Sequence, residues 1–350
     1  MSFTFPTSPS VDDTIELNGK TFKWTANGTW DRVAATTSGG SSGGSSSGST
    51  SSRTHYQPDF YSMEISNWID NVSDTAIFGA NVSSTKKLRF ADNGNKMLVT
   101  AIHTDSAYLL DMSTPYDPST MTYDGVNTFN AGAQEATPYN SKISPDGLNL
   151  YVGGNAGDDI NQYSLSTAFD LTTATFVANK TIKGTGIHLE TKFSNFDMSD
   201  DGTKVFIGGT GKDTISSLTL STPWDITTMT SDDGVWQGMD PYSGTDGLSV
   251  APDGMTFWAQ SPGDSSFRYA QQWVMDSAWD ISSATPAGVW MMLPYYYKDS
   301  VNSPGASATG ITDTTADNQG FQATLWHPTE KKLWFYHGAY NNYFTEVTWS

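Results

Sequence analysis

Short runs of three or four residues recur along most of this chain, with no sustained helical period. Lys87–Phe90, Asn195–Met198 and Leu248–Val250 alternate apolar with polar residues, Ser141–Ile143 ends on an apolar one, and Met97–Val99, Leu150–Val152, Val205–Ile207 and Thr256–Trp258 are wholly or mostly apolar; all lie close to Gly, Pro, Asn, Asp or Ser. Their length and β-branched and aromatic content predict short strands. Between the two runs of each pair lies an Asp-Gly phrase at Asp146-Gly147, Asp201-Gly202 and Asp253-Gly254, or its variant from Asp92 to Gly94. A second phrase follows: Met112–Asp117, Leu165–Asp170, Leu220–Asp225 and Met275–Asp280. The spacing from the Gly to the last Asp of that phrase is identical in three copies (94 to 117, 147 to 170, 202 to 225) and slightly longer in the fourth (254 to 280). A two-point anchor that keeps its spacing is a structural repeat.

The anchor glycines at 94, 147, 202 and 254 recur at a nearly constant interval. Each interval holds four short strands with glycine-rich turns, which predicts one four-stranded antiparallel blade of a β-propeller. A degenerate fifth copy runs from His327 to Tyr336, with Lys331 in the glycine place, and the sequence ends partway through that blade. Met63–Asp70 and Ala76–Phe78 are the candidates for its missing outer part. The expected fold is all-β: a five-bladed propeller over residues 56–350, its last blade closed by residues about 63–80, leaving no free edge.

The wording of the repeat carries a resemblance. Ser144 to Gly147 followed by Leu150–Val152, and Ser199 to Gly202 followed by Phe206–Ile207, are similar to the repeats of YVTN and TolB-like propellers. The Leu220–Ile226 phrase resembles repeats of uncharacterised marine bacterial and phage proteins. These resemblances imply the fold and little about chemistry, since propellers host unrelated functions.

Residues 1–33 read as a separate small β unit. Ile15–Leu17 and Lys20–Trp24 alternate with period two around Asn18-Gly19, a hairpin signal, and Asn27-Gly28 turns the chain toward Trp30. So short a unit buries little surface and needs a partner, with Phe3, Phe5, Phe22, Trp24 and Trp30 as its candidate interface. Phe5 to Pro9, Leu17–Phe22, Trp24 and Gly28–Trp30 resemble a short N-terminal module of tail and other structural proteins of marine phages, cyanophages among them. That resemblance implies attachment to other virion proteins. Residues 34–55 form a linker in which Ser38–Ser52 is almost wholly Gly, Ser and Thr, spanning about 20 Å on average as a flexible chain.

Charge narrows the partners. The 37 acidic residues against 18 basic ones give −19, which repels a nucleic-acid backbone or an anionic membrane. There is no cysteine, so thiolate metal sites and disulfides are excluded. No apolar run approaches a membrane span, and the first residues lack the basic and apolar regions of a signal peptide. Surface chemistry suited to work outside a cell, without an export signal, leads to the expectation of a virion protein made in the host cytoplasm.

Candidate chemistry divides by face. The Asp-Gly turns and the Tyr116, Phe169, Trp224 and Trp279 turns fall on one face, where turn formation and packing account for them. On the opposite face Asp105, Asp158 and Asp213 follow Gly94, Gly147 and Gly202 at one fixed spacing, with Asp264 one place early and Asn342 in the fifth copy. They read either as weak ligands of a Ca²⁺ ion or as one turn cap per blade. The same face gathers non-repeating aromatics: Tyr139, His188, Trp236, Tyr242, Tyr295, Tyr296, Tyr297, Tyr340 and Tyr343, with an insertion over Pro286–Gly320. Aromatic faces beside Asp and Asn suit sugar rings of a host-surface glycan; packing within the loops or against a neighbouring subunit is the alternative. Glu135, Glu190 and Asp240 are the carboxylates open to a polysaccharide-hydrolase reading. No nucleophile elbow, zinc-protease or phosphate-loop motif is present. The reading favoured by the sequence is a non-enzymatic virion structural protein of tail fibre, spike or decoration type without a cofactor.

Overall fold

The computed structural model describes residues 14–17, 20–24, 30–32, 63–69, 85–182, 193–209, 214–237, 247–264, 267–292, 321–337 and 343–349. The chain divides into two compact units, residues 1–52 with 296–312, and residues 53–295 with 313–350. In the first, β1 (Thr14–Leu17), β2 (Lys20–Trp24) and β3 (Trp30–Arg32) form a three-stranded sheet in that order. Thr14 pairs with Lys23 and Leu17 with Lys20, the register that a two-residue turn at Asn18-Gly19 imposes. Phe22 and Trp24 lie on β2 and Trp30 on β3; Phe3 and Phe5 lie outside the described residues.

The second unit is a five-bladed propeller. It begins with β4 (Met63–Ile69). Blade 1 holds β5 (Thr85–Ala91), β6 (Lys96–Ala101), β7 (Ser106–Met112) and a split outer strand, β8 (Met121–Thr122) and β9 (Thr128–Asn130), both paired with β7. Blade 2 is β10 (Pro138–Ile143), β11 (Asn149–Gly154), β12 (Asp159–Leu165) and β13 (Ala174–Thr181). Blade 3 is β14 (Phe193–Met198), β15 (Lys204–Gly209), β16 (Thr214–Leu220) and β17 (Met229–Gln237). Blade 4 is β18 (Gly247–Val250), β19 (Thr256–Asp264), β20 (Phe267–Val274) and β21 (Thr285–Met292). Blade 5 takes β22 (Phe321–Trp326), β23 (Lys332–His337) and β24 (Tyr343–Trp349), and its fourth strand is β4. The innermost strands touch in sequence, β5 to β10 to β14 to β18 to β22 and back to β5.

Each Asp-Gly turn is locked locally. Gly147 donates its amide to Ser144 O at 2.8 Å, and Asp146 Oδ1 accepts from Ser144 Oγ at 2.6 Å and from Leu148 N at 3.0 Å. Ser199 and Asp201 repeat the pattern, Asp201 Oδ1 accepting from Thr203 N at 2.9 Å. In the second phrase Asp117, Asp170, Asp225 and Asp280 each accept the amide two residues on and cap a single 3₁₀ turn.

The two phrases meet in space. The amides of Tyr116, Phe169, Trp224 and Trp279 donate to the carbonyls of Gly94, Gly147, Gly202 and Gly254 at 2.8–3.0 Å. Their rings lie so close that a Cβ on any of these glycines would come within 2.6 Å of ring atoms. This accounts for the pairing of glycine and aromatic through the repeat.

Strand register corrects one assignment. Ile143 pairs with Leu150 in blade 2 and Trp326 with Leu333 in blade 5, so Glu330, not Lys331, occupies the place of Gly147.

The core lies between blades. Leu98 clusters with Phe169, Tyr151 packs on Trp224 at 5.9 Å and Phe206 on Trp279 at 5.1 Å, each pair joining one blade to the next. At the closing seam Phe90 stands 5.2 Å from Tyr116 and 5.4 Å from Trp334.

Candidate functional site

The densest polar assembly among the described residues lies on the innermost strands. Arg89, Lys142 and Asp197 each hold the same place relative to their blade's glycine, on β5, β10 and β14. Three strands thus present side chains at one level of the ring. Arg89 reaches from blade 1 past blade 2 to blade 3, its Nη1 2.9 Å from Asp197 Oδ1 and its Nη2 donating to Phe196 O at 2.6 Å. Lys142 Nζ lies 3.5 Å from the same Oδ1, donates to Met198 O at 2.9 Å and stands 3.4 Å from Asp200. Asp197 Oδ1 also accepts the Met198 amide, and its Oδ2 accepts Val250 N of blade 4, each at 2.9 Å. One carboxylate therefore links blades 1 to 4. Burial pushes the Asp197 carboxyl up, but Arg89 and Lys142 outweigh it and hold the group below the usual range. Ser249 Oγ extends the network to blade 5 by donating to Thr324 O at 2.7 Å.

Two buried acceptors nearby, Asn140 Oδ1 on β10 and Gln260 Oε1 on β19, have no hydrogen-bond partner among the described residues, although Asn140 Nδ2 donates to Phe196 O and Gln260 Nε2 to Thr324 Oγ1. None of Arg89, Lys142 and Asp197 is singled out by sequence; the signal that could have found them is their shared place five residues before Gly94, Gly147 and Gly202, with charges of both signs at one repeat position.

On the opposite face the repeated aspartates sit in turns. Asp105 and Asp158 adopt left-handed φ of 50° and 47° between the second and third strands of their blades. Their carbonyls accept the amides of Ala131 and Ile182, at 2.7 Å and 2.9 Å, and Asp158 Oδ1 accepts Phe193 N at 3.4 Å. These bonds tie each turn to the following connection. Asp213 and Asn342 lie outside the described residues, and Asp264 closes β19. Among the described residues no three His, Asp or Glu side chains converge as a metal site.

Glu135, in the connection from blade 1 to blade 2, is fully buried. Its Oε1 accepts the amides of Thr137 at 2.8 Å and Ala156 at 3.0 Å, and its Oε2 that of Gly157 at 3.1 Å. Burial pushes its carboxyl up, these amides oppose the rise, and nearby Asp159 adds to it. The carboxylate holds the β11–β12 turn against the incoming connection. Glu190 and Asp240 lie outside the described residues.

Of the non-repeating aromatics, three occupy strands rather than loops. Tyr139 falls at the register shift of β10 and is half-buried, Trp236 pairs with Ile215 near the end of β17, and Tyr343 opens β24. Antiparallel order puts these strand ends on the face of the second-to-third-strand turns. His188, Tyr242, Tyr295, Tyr296, Tyr297 and Tyr340 lie outside the described residues.

No known protein family matches this chain, and no curated protein matches it. Similar solved structures are propeller proteins. Hydrazine synthase of Kuenenia stuttgartiensis is 14% identical with a TM-score of 0.43, covering 74% of this chain, which spans only 56% of that one. A protein of Bacteroides fragilis described as a candidate 6-phosphogluconolactonase is 12% identical with a TM-score of 0.39, covering 79% of this chain and 72% of its own. The Cps50 (Swd1) β-propeller domain of Myceliophteria thermophila is 10% identical with a TM-score of 0.43, covering 76% and 83%. Likeness at this level carries no functional argument.

Proposed function

We propose that this chain is a virion structural protein of display type, anchored by its N-terminal sheet and presenting the propeller to a host-surface glycan. The observation that carries this reading is the three-stranded sheet of β1 to β3, paired among the described residues only within itself and followed by the Gly/Ser/Thr tract before the ring. A sheet that small, with Phe22, Trp24 and Trp30 on its strands, needs a partner surface to become stable. The acidic charge turns the partner away from nucleic acid and anionic lipid. The resemblance of the stretch from Phe5 to Trp30 to a phage structural module supports a virion as the larger assembly.

Within the propeller, the repeated Asp and aromatic residues are used in turns and packing, so recognition falls to residues that do not repeat. The experiment is retention of the labelled full chain on host cells and on purified envelope polysaccharide. Expected are specific retention, about tenfold weaker binding after alanine substitution at Tyr295, Tyr296 and Tyr297, and unchanged polysaccharide length. Absence of retention at the highest soluble concentration would replace this reading with a subunit that packs only on other virion proteins. Shortened polysaccharide, protected by Glu190→Gln, would replace it with a hydrolase.

A further inference from the structure

Blades 2 and 3 build the turn after their innermost strand with a serine. Ser144 and Ser199 donate their amides to Asn149 O and Lys204 O, and their Oγ atoms accept the return amides of Asn149 and Lys204, all at 2.9 Å. In blade 5 the same backbone place is His327, whose amide donates to Lys332 O at 3.0 Å. Its side chain takes over the acceptor role: Nδ1 accepts from Glu330 N at 2.8 Å and from Thr329 N at 3.3 Å. An imidazole nitrogen that accepts amide protons carries none itself, so this turn requires the neutral ring with its hydrogen on Nε2.

The same ring stands in the seam where blade 5 meets blade 1, 4.9 Å from Tyr116 and 6.1 Å from Trp334. We propose that His327 is an acid-sensitive latch on this seam: protonation of Nδ1 turns the acceptor into a donor facing two amide donors, releasing the turn and loosening Tyr116 from blade 5.

Other charged groups face the ring. Glu330 Oε1 lies 3.8 Å from Nε2 and favours the imidazolium, but that carboxylate is largely exposed and its Oε2 is 3.0 Å from Lys332 Nζ. Lys332 also stands 3.9 Å from Glu346 on β24, whose Oε2 accepts Trp334 Nε1 at 3.0 Å. Blade 1 presents the Tyr116 phenol, whose proton burial helps to retain. The two amides act in direct contact on Nδ1 and favour the neutral ring, whereas the Glu330 carboxylate, held below its usual value first by Lys332 and also by His327, is shared with Lys332 and screened by water. Histidine in an unfolded chain protonates near pH ~6.5. The folded turn favours the neutral form, so the latch contributes fully above that pH and is lost as pH falls through and below it.

Hydrogen–deuterium exchange on the full chain at pH 7.5 and pH 5.5, corrected for intrinsic exchange, tests the latch. In the native protein, exchange across 327–337 rises about tenfold at the lower pH, as loss of a pH-linked contact requires. In His327→Ser, which restores the residue of blades 2 and 3, it stays flat. An equal rise in both proteins overturns the proposal. Should the variant not fold, ¹⁵N resonances of the native ring decide: Nδ1 unprotonated at pH 7.5, with titration tracked by the Tyr116 ring signals, supports the latch. A protonated Nδ1, or titration that leaves Tyr116 unmoved, overturns it.

Discussion

At Gly202 the backbone is left-handed, with φ of +71°, and the Trp224 ring lies 2.5 Å from where a Cβ would stand. Both facts penalise any side chain there, whereas Gly125, at φ +84°, has no atom within 4 Å of its would-be Cβ. Gly202→Ala therefore costs about 2–4 kcal/mol, strain plus displacement of the ring, and Gly125→Ala about 1–2 kcal/mol from strain alone. Urea unfolding of the two variants checks the order; equal losses would mean the ring contact adds nothing. The glycine–aromatic pair was legible in the sequence because both members are obligatory and their spacing holds in three blades (94 to 116, 147 to 169, 202 to 224). The fifth glycine place was misassigned by one position because no glycine marks it, and only strand register identifies Glu330.

Among the elements, blades pair through their innermost strands and the aromatics between them. Asp197 concentrates that pairing, with β5, β10 and β18 all bonding to one carboxylate on β14. Asp197→Asn leaves Arg89 and Lys142 facing a neutral group in a buried place, and the expected loss is about 3–5 kcal/mol near neutral pH. Because the folded carboxyl is held below its usual value, the stability it contributes is present above about pH 4 and is lost as pH falls through the folded value. The gap between native protein and variant should thus narrow in acid. A gap constant from pH 7 to pH 3, measured by urea unfolding, would contradict the charge assignment. Strand count and order followed from the repeat, but this long-range network did not. Periodicity fixes which side chains share a level, while bonding across the ring depends on reach, and the long Arg89 side chain crosses to blade 3. Likewise Tyr139, Trp236 and Tyr343 read as loop residues because nothing local marks a strand end; Tyr139 falls inside β10 at its register shift, and cross-strand pairing places Trp236 in β17 and Tyr343 in β24.

At the largest scale, the five blades close into a ring in which the repeated residues build turns and core. Closure depends on β4, far from β24 in sequence, which pairs Glu64 with Thr348 and Met63 with Trp349. Such a seam leaves blade 5 with its outer strand in place and no half-built edge open to another chain. The native chain has no cysteine, so a pair introduced across the seam reports on it without competition. Glu64→Cys with Thr348→Cys, oxidised at low protein concentration and analysed by mass spectrometry and non-reducing electrophoresis, is the most direct measurement. The closed propeller predicts near-complete linkage within single chains, since antiparallel partners lie within disulfide reach. Thiols that stay free, or that link only between chains while an Asp111→Cys/Thr122→Cys control across β7 and β8 closes internally, would contradict it.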